Sequence, residues 1–297
     1  MKELGRLITA MVTPMKEDGS VDYEQAKLLA NKLVDSGSDG VVVVGTTGES
    51  PTLIRPEELK LFAEIKKAIG DRASVIAGTG SNATAEAMEA TLQAEEIGVD
   101  ACLLVVPYYN KPSQEGLYQH FKTIASATKL PCILYNVPSR TVASLSAETT
   151  IRLSKIDNII GTKEASGNFE EISKIIHATG DDFKVWSGND GDTLPLLSIG
   201  AYGVISVVSH LAGKQMREML ESFLAGNTER AAEIHNSLMP LFKNMFVTAN
   251  PCPLKYALNH LGFHVGKPRL PLVEPDEKSA AIIREALATS VIDLPLP

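Results

Sequence analysis

Eight short apolar runs, rich in β-branched residues and bounded by turn residues, recur along the first two thirds of the chain. They begin at Leu7, Gly40, Ser74, Ala101, Cys132, Ile159, Phe183 and Gly203. Several are almost continuously apolar, which is typical of parallel strands that are covered on both faces. The runs therefore predict eight buried β-strands.

Amphipathic segments with helix-start signals separate these runs. Within residues 22–34, one helical face collects Ala26, Leu29, Ala30 and Leu33. Pro56 opens a segment with early glutamates and late lysines that ends at Gly70, and 83–97 and 115–128 are similar. Repeated strand–helix alternation predicts an α/β protein with a (β/α)₈ TIM barrel. An open doubly wound sheet is the alternative, because sequence alone cannot show closure.

After Ser209 the strand pattern stops, and the remaining segments favour helices only. We predict helices over 214–225, 228–247, 254–261 and 277–287. Gly226 favours a turn, so it marks a boundary between the barrel and the helices that follow. The chain is thus predicted to have a barrel domain, 1–226, and a C-terminal helical domain, 227–297.

Composition restricts the class of protein. A chain of 297 residues with 44% hydrophobic residues can form one large barrel with a sizeable core. A net charge of −8 without a basic run argues against nucleic-acid binding. The first residues lack the apolar stretch of a signal peptide, and no segment reaches the roughly 18 apolar residues of a membrane span. We expect a cytoplasmic protein.

Two weaker motifs are better explained by structure than by chemistry. Residues 78–83 imitate a dinucleotide fingerprint, but no acidic strand end follows at the right offset. His260 and His264 are four residues apart without the glutamate of a metalloprotease. The three cysteines form no CxxC pair, so no zinc site is predicted.

Polar residues at the predicted carboxyl ends of strands are the stronger signals, because barrel enzymes place their active sites there. Thr46 and Thr47, in GTTGES (45–50), can hold a carboxylate through hydroxyl and backbone donors. Tyr109 ends the fourth strand. Tyr135 ends the fifth, and Arg140 in the following loop is a permanently charged fork fitted to a carboxylate.

Lys163 is the most informative residue, because it lies in a strand (159–165) that is expected to be buried. An ammonium there is costly unless it is paired or functional. Desolvation lowers a lysine pKa and produces a nucleophilic amine near neutral pH. The alternative is a salt bridge with Glu164 at the barrel rim.

Together these residues predict a site for imine chemistry. Lys163 would form an imine with a small 2-oxo acid whose carboxylate is held by Thr46 and Thr47. Tyr135 would move protons with Thr46 and Tyr109, and Arg140 would orient a second acidic substrate. Because the imine is itself the electron sink, no metal or organic cofactor is expected.

The chain resembles the N-acetylneuraminate lyase superfamily of pyruvate-dependent class I aldolases, and within it the dihydrodipicolinate synthase family. The likeness covers nearly the whole chain. It is carried by GTTGES (45–50), AGTGSN (77–82), PYYNKPSQEGLYQHF (107–121), YNVPSRT (135–141), GTKEASGN (161–168), SGND (187–190) and GVIS (203–206).

The resemblance implies a reaction and partners. Pyruvate would form a Schiff base on Lys163 and condense with L-aspartate 4-semialdehyde, in diaminopimelate and lysine biosynthesis. Thr47, Gly188 and the backbone at Ile205 would contact substrate, and Arg140 would bind the semialdehyde carboxylate. Tyr109 would reach across a dimer interface within a homotetramer built as a dimer of dimers.

The resemblance also implies a site at the dimer interface for L-lysine as a feedback inhibitor. By position it would be formed by Ser50, Pro51, Arg55, Glu58, Asn82, Glu86 and Tyr108. Arg55 and Glu58 stand where inhibited members have histidines, and Pro51 replaces a small residue. Glu58 could still accept the ligand's ammonium, whereas Arg55 adds a repelling charge.

Two other functions remain open from sequence. A sialic acid or 2-keto-3-deoxy sugar acid could replace the semialdehyde, although Arg140 and the YNVPSRT motif favour the synthase family. A catalytically silent barrel that binds a small acid as a sensor is the other alternative. No chemical residue of the set is missing, which argues against a silent barrel.

Overall fold

Eight parallel strands close into a single barrel in chain order, as the sequence predicts. The structure is a computed structural model that describes residues 3–295. The strands are β1 (Leu7–Ala10), β2 (Gly40–Val43), β3 (Ser74–Gly78), β4 (Ala101–Val105), β5 (Cys132–Asn136), β6 (Ile159–Glu164), β7 (Lys184–Ser187) and β8 (Gly203–Ser206). Closure excludes the open doubly wound sheet.

Twelve α-helices lie among the described residues. They are α1 (Tyr23–Asp35), α2 (Arg55–Ile69), α3 (Thr84–Ile97), α4 (Gln114–Ala127), α5 (Pro138–Thr141), α6 (Ala147–Leu153), α7 (Phe169–Thr179), α8 (Thr193–Ser198), α9 (Ser209–Leu224), α10 (Thr228–Asn244), α11 (Cys252–His260) and α12 (Glu277–Ala288). Within 3–295, no helix has the length and apolarity to cross a bilayer.

The predicted helices agree with these bounds to within a few residues, with one informative exception. Helix α9 begins at Ser209 instead of residue 214, because a buried turn joins it across a kink at Ala212. Asp22 caps α1 by accepting a hydrogen bond from the Gln25 N–H, which satisfies a free donor at the helix start.

Apolar side chains form two separate cores. The larger one lies between the strands and the surrounding helices, where Phe62 and Phe121 are fully buried. The smaller one fills the barrel interior with Ile8, Ile133 and Ile205. Because strand side chains alternate, one face of each strand serves each core, which explains the almost continuously apolar runs.

Trp186 closes the amino-terminal end of the barrel. It is 1% exposed, and its indole N–H donates to the Gly5 carbonyl at 3.0 Å. Gly161 on the neighbouring strand makes room for the ring, since a Cβ there would lie 2.6 Å from Trp186 and 2.2 Å from the Lys184 carbonyl oxygen. The interior is therefore a packed core that Trp186 covers at its amino-terminal end.

Strands β5 and β6 are aligned so that functional residues are neighbours. Tyr135 pairs with Lys163, and Asn136 pairs with Glu164 one position later. Since successive side chains point to opposite faces, the first pair faces the barrel interior and the second faces the helices. The register thus places a phenol beside an amine inside the barrel.

The C-terminal helices share the outer core with the barrel helices. Helix α10 packs along α9, and α12 packs on both α10 and α11. Leu238, Leu258 and Ile283 belong to the same apolar cluster as the barrel residues. The division into domains at residue 226 stays a prediction.

We expect Gly161→Ala to lower the free energy of unfolding by about 1–3 kcal/mol, because overpacking displaces Trp186 or β7. Denaturant unfolding measures this change. Gly116→Ala in α4 is the control, since its Cβ would meet nothing closer than 3.3 Å. Equal stability of the two variants would contradict the role given to Gly161.

Candidate active site

Lys163 lies inside the carboxyl end of the barrel and is 5% exposed. Its Nζ lies 4.4 Å from the centroid of the Tyr135 ring. Burial lowers the pKa of Lys163 to about 8, with a smaller lowering from Arg140 and an opposing effect of Asp190. A substantial fraction of this lysine is therefore an uncharged nucleophile near neutral pH.

Glu164 faces away from the barrel interior and does not serve as the partner of Lys163. Its carboxyl group accepts hydrogen bonds from Asn136 at 3.3 Å and from Ser166 at 2.9 Å. Burial raises the pKa of Glu164 to about 7. The alternative of a rim salt bridge with Lys163 is therefore wrong.

Tyr135 is positioned to transfer protons. It is 7% exposed and hydrogen-bonds with Thr46, the partner that the sequence predicts. Burial raises the pKa of Tyr135, while the nearby Arg140 charge and the Thr46 hydrogen bond oppose this rise. A protonated phenol beside a neutral amine can donate and recover a proton during imine formation.

The loop after β2 brings two hydroxyls to the site. Thr46 is half-buried and Thr47 is 4% exposed. Asn250 donates from Nδ2 to the Thr47 hydroxyl at 2.9 Å, and its carbonyl accepts from Arg140 Nη2 at 3.5 Å. Asn250 thus links two residues that the sequence predicts to bind substrate carboxylates.

Asp190 is a functional residue that sequence reasoning missed. It is 3% exposed and accepts hydrogen bonds from the Ser206 hydroxyl and, at 3.1 Å each, from the backbone N–H groups of Val207 and Val208. Its charge favours the ammonium form of Lys163. The signal was its position at the end of the SGND motif, just beyond β7.

Gly188 directly follows β7, and Ile205 lies in β8. The Gly188 N–H donates to the Glu164 carbonyl, and a Cβ on Gly188 would lie 2.7 Å from the Cβ of Ala165. Ile205 is fully buried in the barrel interior and pairs with Ile8 of β1. Gly188 therefore has no room for a side chain, and the Ile205 side chain is packed in the interior core, so each can offer only its backbone to a substrate.

Tyr109 differs from the other predicted site residues because its ring is 88% exposed. Its φ of 74° lies in the left-handed region, which a bulky residue adopts only when its surroundings enforce it. The ring therefore projects from the rim of this chain. Its predicted place in the proton relay requires a second subunit.

A cavity of about 460 Å³ opens beside the barrel mouth. Its wall contains Thr46 and Arg140 and six of the seven residues predicted for an effector site, namely Ser50, Pro51, Arg55, Glu58, Glu86 and Tyr108. Asn82 lies beside it and donates to the Tyr108 carbonyl at 3.2 Å. The two predicted sites thus share one wall.

Glu58 is the unusual group of this cavity. It is 8% exposed and forms an ion pair with Arg55. The pKa of Glu58 is raised to about 6, mainly because the side chain is buried. Arg55 opposes this rise, and the neighbouring Glu86 contributes to it. Arg55 therefore occupies the carboxylate that an incoming ammonium would use.

The two weak motifs have structural explanations. A Cβ on Gly78 would lie 2.2 Å from the Val44 carbonyl, and one on Gly80 would lie 2.4 Å from the Val105 N–H nitrogen, so both glycines permit close strand packing. His260 stacks on Tyr256 with ring centroids 6.1 Å apart. Among residues 3–295, no cluster of acidic, histidine or cysteine side chains is arranged to hold a metal ion.

A larger cavity, about 670 Å³, lies at the amino-terminal end of the barrel. Two of its arginines are engaged by neighbouring groups. Arg217 binds Asp39 and the Gly37 carbonyl, and Arg6 lies over the Tyr202 ring. The chemistry is therefore at the opposite, carboxyl end.

A buried lysine of lowered pKa beside a buried tyrosine, at the carboxyl end of a (β/α)₈ barrel, defines a Schiff-base-forming lyase of the class I aldolase type. The model of the dihydrodipicolinate synthetase family matches residues 3–290. The chain belongs to this family.

Individual relatives agree over almost their entire lengths. A 4-hydroxy-tetrahydrodipicolinate synthase of Dehalococcoides mccartyi is 67% identical over 296 residues, covering 100% of both chains. The dihydrodipicolinate synthase of Cyanidioschyzon merolae with lysine bound is 48% identical, with a TM-score of 0.95 over 96% of this chain and 98% of that one. The chloride-inhibited enzyme of Acinetobacter baumannii complexed with pyruvate is 41% identical, with a TM-score of 0.94 over 97% and 99%.

We expect the rate of imine formation with pyruvate to rise with pH through a midpoint of about 8, because only the uncharged amine of Lys163 attacks. Asp190→Asn removes a charge that favours the ammonium form, so the midpoint should move to lower pH. Arg140→Ala removes a charge that disfavours it, so the midpoint should move to higher pH.

Stopped-flow ultraviolet absorbance measures these midpoints. Asp192→Asn is the control, because Asp192 lies on the same loop but is not among the charges that act on Lys163. Shifts of the same sign for Asp190→Asn and Arg140→Ala would contradict the electrostatic account.

Proposed function

We propose that the chain condenses pyruvate with L-aspartate 4-semialdehyde, the 4-hydroxy-tetrahydrodipicolinate synthase reaction of diaminopimelate and lysine biosynthesis. The buried, weakly basic amine of Lys163 beside Tyr135 is the observation that carries this proposal. The names of the relatives, and the pyruvate complex of the Acinetobacter baumannii protein, support the choice of reaction and first substrate. Pyruvate comes from central metabolism, so the proposal includes a cytoplasmic location.

The reaction begins when the amine of Lys163 adds to the ketone carbon of pyruvate and water leaves. Loss of a methyl proton from the resulting imine gives an enamine. The enamine carbon then bonds to the aldehyde carbon of the semialdehyde, whose amino group finally displaces Lys163 and closes the ring. Tyr135 supplies and recovers the protons through Thr46.

The loop after β2 holds the pyruvate carboxylate in this proposal. The Thr46 and Thr47 hydroxyls and nearby backbone N–H groups are donors at the carboxyl end of β2, on the rim that also holds Lys163. Gly188, just after β7, and the backbone at Ile205 in β8 would also contact pyruvate. The fixed donors would orient the ketone toward the amine.

Arg140 selects the second substrate. It lies on the short helix α5, is exposed at the rim, and interacts electrostatically with both Tyr135 and Lys163. A guanidinium at this position can bind a carboxylate through two parallel hydrogen bonds, in a bidentate arrangement. A short amino acid semialdehyde fits this arrangement better than a long polyol acid does.

Assembly as a dimer of dimers completes the site. Tyr109 is exposed in the single chain, and its backbone is strained. When a partner subunit covers Tyr109, the phenol of Tyr109 would reach the Tyr135 in the site of that partner subunit. The proposed relay then runs from Tyr135 through Thr46 to Tyr109 of the partner subunit. A single subunit would lack the last member.

L-lysine is proposed as an effector that binds the cavity beside the barrel mouth. Support comes from the residues that line it and from the lysine-bound structure of the Cyanidioschyzon merolae relative. Glu58 and Glu86 are the acceptors for the ligand's ammonium. Because Arg55 competes for Glu58, binding is expected to be weaker than in members with uncharged residues there.

Turnover of pyruvate and the semialdehyde, in an assay coupled to the next reductase of the pathway, tests the reaction. Arg140→Ala should raise KM for the semialdehyde at least tenfold, as expected when a charged hydrogen bond is lost, and should change KM for pyruvate much less. Arg152→Ala, at an exposed position that pairs with Glu115, is the control.

The same preparation separates the alternatives. Release of pyruvate from N-acetylneuraminate or a 2-keto-3-deoxy sugar acid, without turnover of the semialdehyde, would assign a sugar-acid aldolase instead. Absence of turnover with every substrate would favour the sensor.

Mixing two inactive variants tests the shared site. Lys163→Ala lacks the amine and Tyr109→Phe lacks the relay phenol, so each alone should lose most activity. If Tyr109 acts in the partner's site, a mixed dimer contains one site with both residues intact, and activity should return on mixing. Failure of refolded mixtures to regain activity would contradict relay across the interface.

A further inference from the structure

We propose that the buried ion pair between Glu49 and Lys255 makes helix α11 a positioning element for the loop that binds the pyruvate carboxylate. The pair contacts neither of the atoms that react in the proposed function, the Lys163 amine nitrogen and the ketone carbon of pyruvate. It connects the C-terminal helices to GTTGES (45–50). This inference rests on the proposed function, because it assigns a task within that same site.

Glu49 holds a backbone conformation that is costly for its residue type. Its φ of 60° and ψ of 36° place it in the left-handed region, where glycine is usual. The residue is 1% exposed, so its carboxylate has left water completely. Such a turn persists only when surrounding contacts enforce it.

Lys255 provides the strongest of these contacts. Its Nζ lies 2.5 Å from Glu49 Oε1, and the two side chains are 1% and 0% exposed. The same ammonium donates to the Lys267 carbonyl at 3.2 Å. Removing one partner of such a pair leaves a buried charge without compensation, whereas removing both does not.

A second contact fixes the other carboxylate oxygen. The backbone N–H of Arg269 donates to Glu49 Oε2 at 2.8 Å. The Arg269 guanidinium donates to the Thr52 carbonyl at 2.7 Å and binds both oxygens of Glu57. The C-terminal chain therefore holds the loop from Glu49 to Thr52 on both oxygens of one carboxylate and on the backbone.

A third contact reaches the substrate-binding residues themselves. Asn250, two residues before α11, donates to the Thr47 hydroxyl and receives Arg140 on its carbonyl. Thr47 is thus fixed between the end of β2 and a segment roughly two hundred residues later in the chain, and Thr46 is its immediate neighbour. The position of the pyruvate carboxylate depends on where α11 is held.

The charge-neutral double variant Glu49→Gln/Lys255→Met tests the positioning role without leaving an unpaired charge. We expect KM for pyruvate to rise about tenfold, as for loss of a well-placed hydrogen bond to the substrate, while kcat falls less than about threefold. KM for the semialdehyde should change less, since the Arg140 backbone keeps its place on α5 and only its 3.5 Å contact with the Asn250 backbone carbonyl depends on α11. A purely structural pair would move the melting temperature without this split.

Lys66→Met/Asp100→Asn is the matched control. That ion pair, 2.8 Å long and mostly buried, lies at the amino-terminal end of the barrel, before β4. The control variant should be less stable than the wild type, and its KM values for pyruvate and for the semialdehyde should be unchanged. The same rise in KM for pyruvate in this control would overturn the inference.

Lys255→Arg provides a second, conservative variant, which keeps the charge but not the length of the side chain. It should give a KM for pyruvate between wild type and the double variant. If either of these two variants folds and has a wild-type KM for pyruvate, the positioning role is overturned. Failure of both variants to fold also overturns it, because the ion pair would then serve stability only. A wild-type protein that does not condense pyruvate with the semialdehyde would instead refute the proposed function.

Discussion

The desolvation of a single amine is the constraint on which the site depends. Lys163 is 5% exposed and lies over an apolar interior that Trp186 covers at the other end. In that surrounding the ammonium is penalised and the neutral nucleophile becomes accessible near physiological pH. Asp190 and Arg140 then adjust the balance in opposite directions.

The rim of the barrel concentrates backbone strain around this amine. Among the non-glycine residues that the structure describes, positive φ values occur at five positions, all beyond the carboxyl ends of strands: Val44, Glu49, Tyr109, Lys111 and Val142. Strained backbone persists only where packing enforces it, and it clusters where side chains must be aimed accurately. The barrel and the C-terminal helices together provide that packing. The geometry of the site is thus sustained by stability elsewhere in the fold.

The barrel and most of the site could be predicted from sequence because the signals are local. Strands that are buried on both faces are almost continuously apolar, and a lysine in such a strand is conspicuous. Tyr135 and Arg140 are likewise close to Lys163 through the order of the strands. Family resemblance, confirmed by a match over residues 3–290, then suggested the two acids that we propose as substrates.

What could not be predicted depends on contacts between distant parts of the chain. Asn250 and Lys255 lie in a segment that reads only as helix and connector, yet they fix a loop about two hundred residues earlier. Asp190 was hidden because its partners, the Ser206 hydroxyl and two backbone N–H groups after β8, come together with it only in the folded barrel. The role of Tyr109 depends on a second subunit, and it stays a prediction.

The most direct test of the central claim is mass spectrometry of the protein after borohydride reduction in the presence of pyruvate. We predict one covalent three-carbon adduct per chain, located on the peptide that contains Lys163, and none on Lys255, the other lysine that is buried within residues 3–295. An unmodified Lys163 peptide, or an adduct on another lysine, would contradict it.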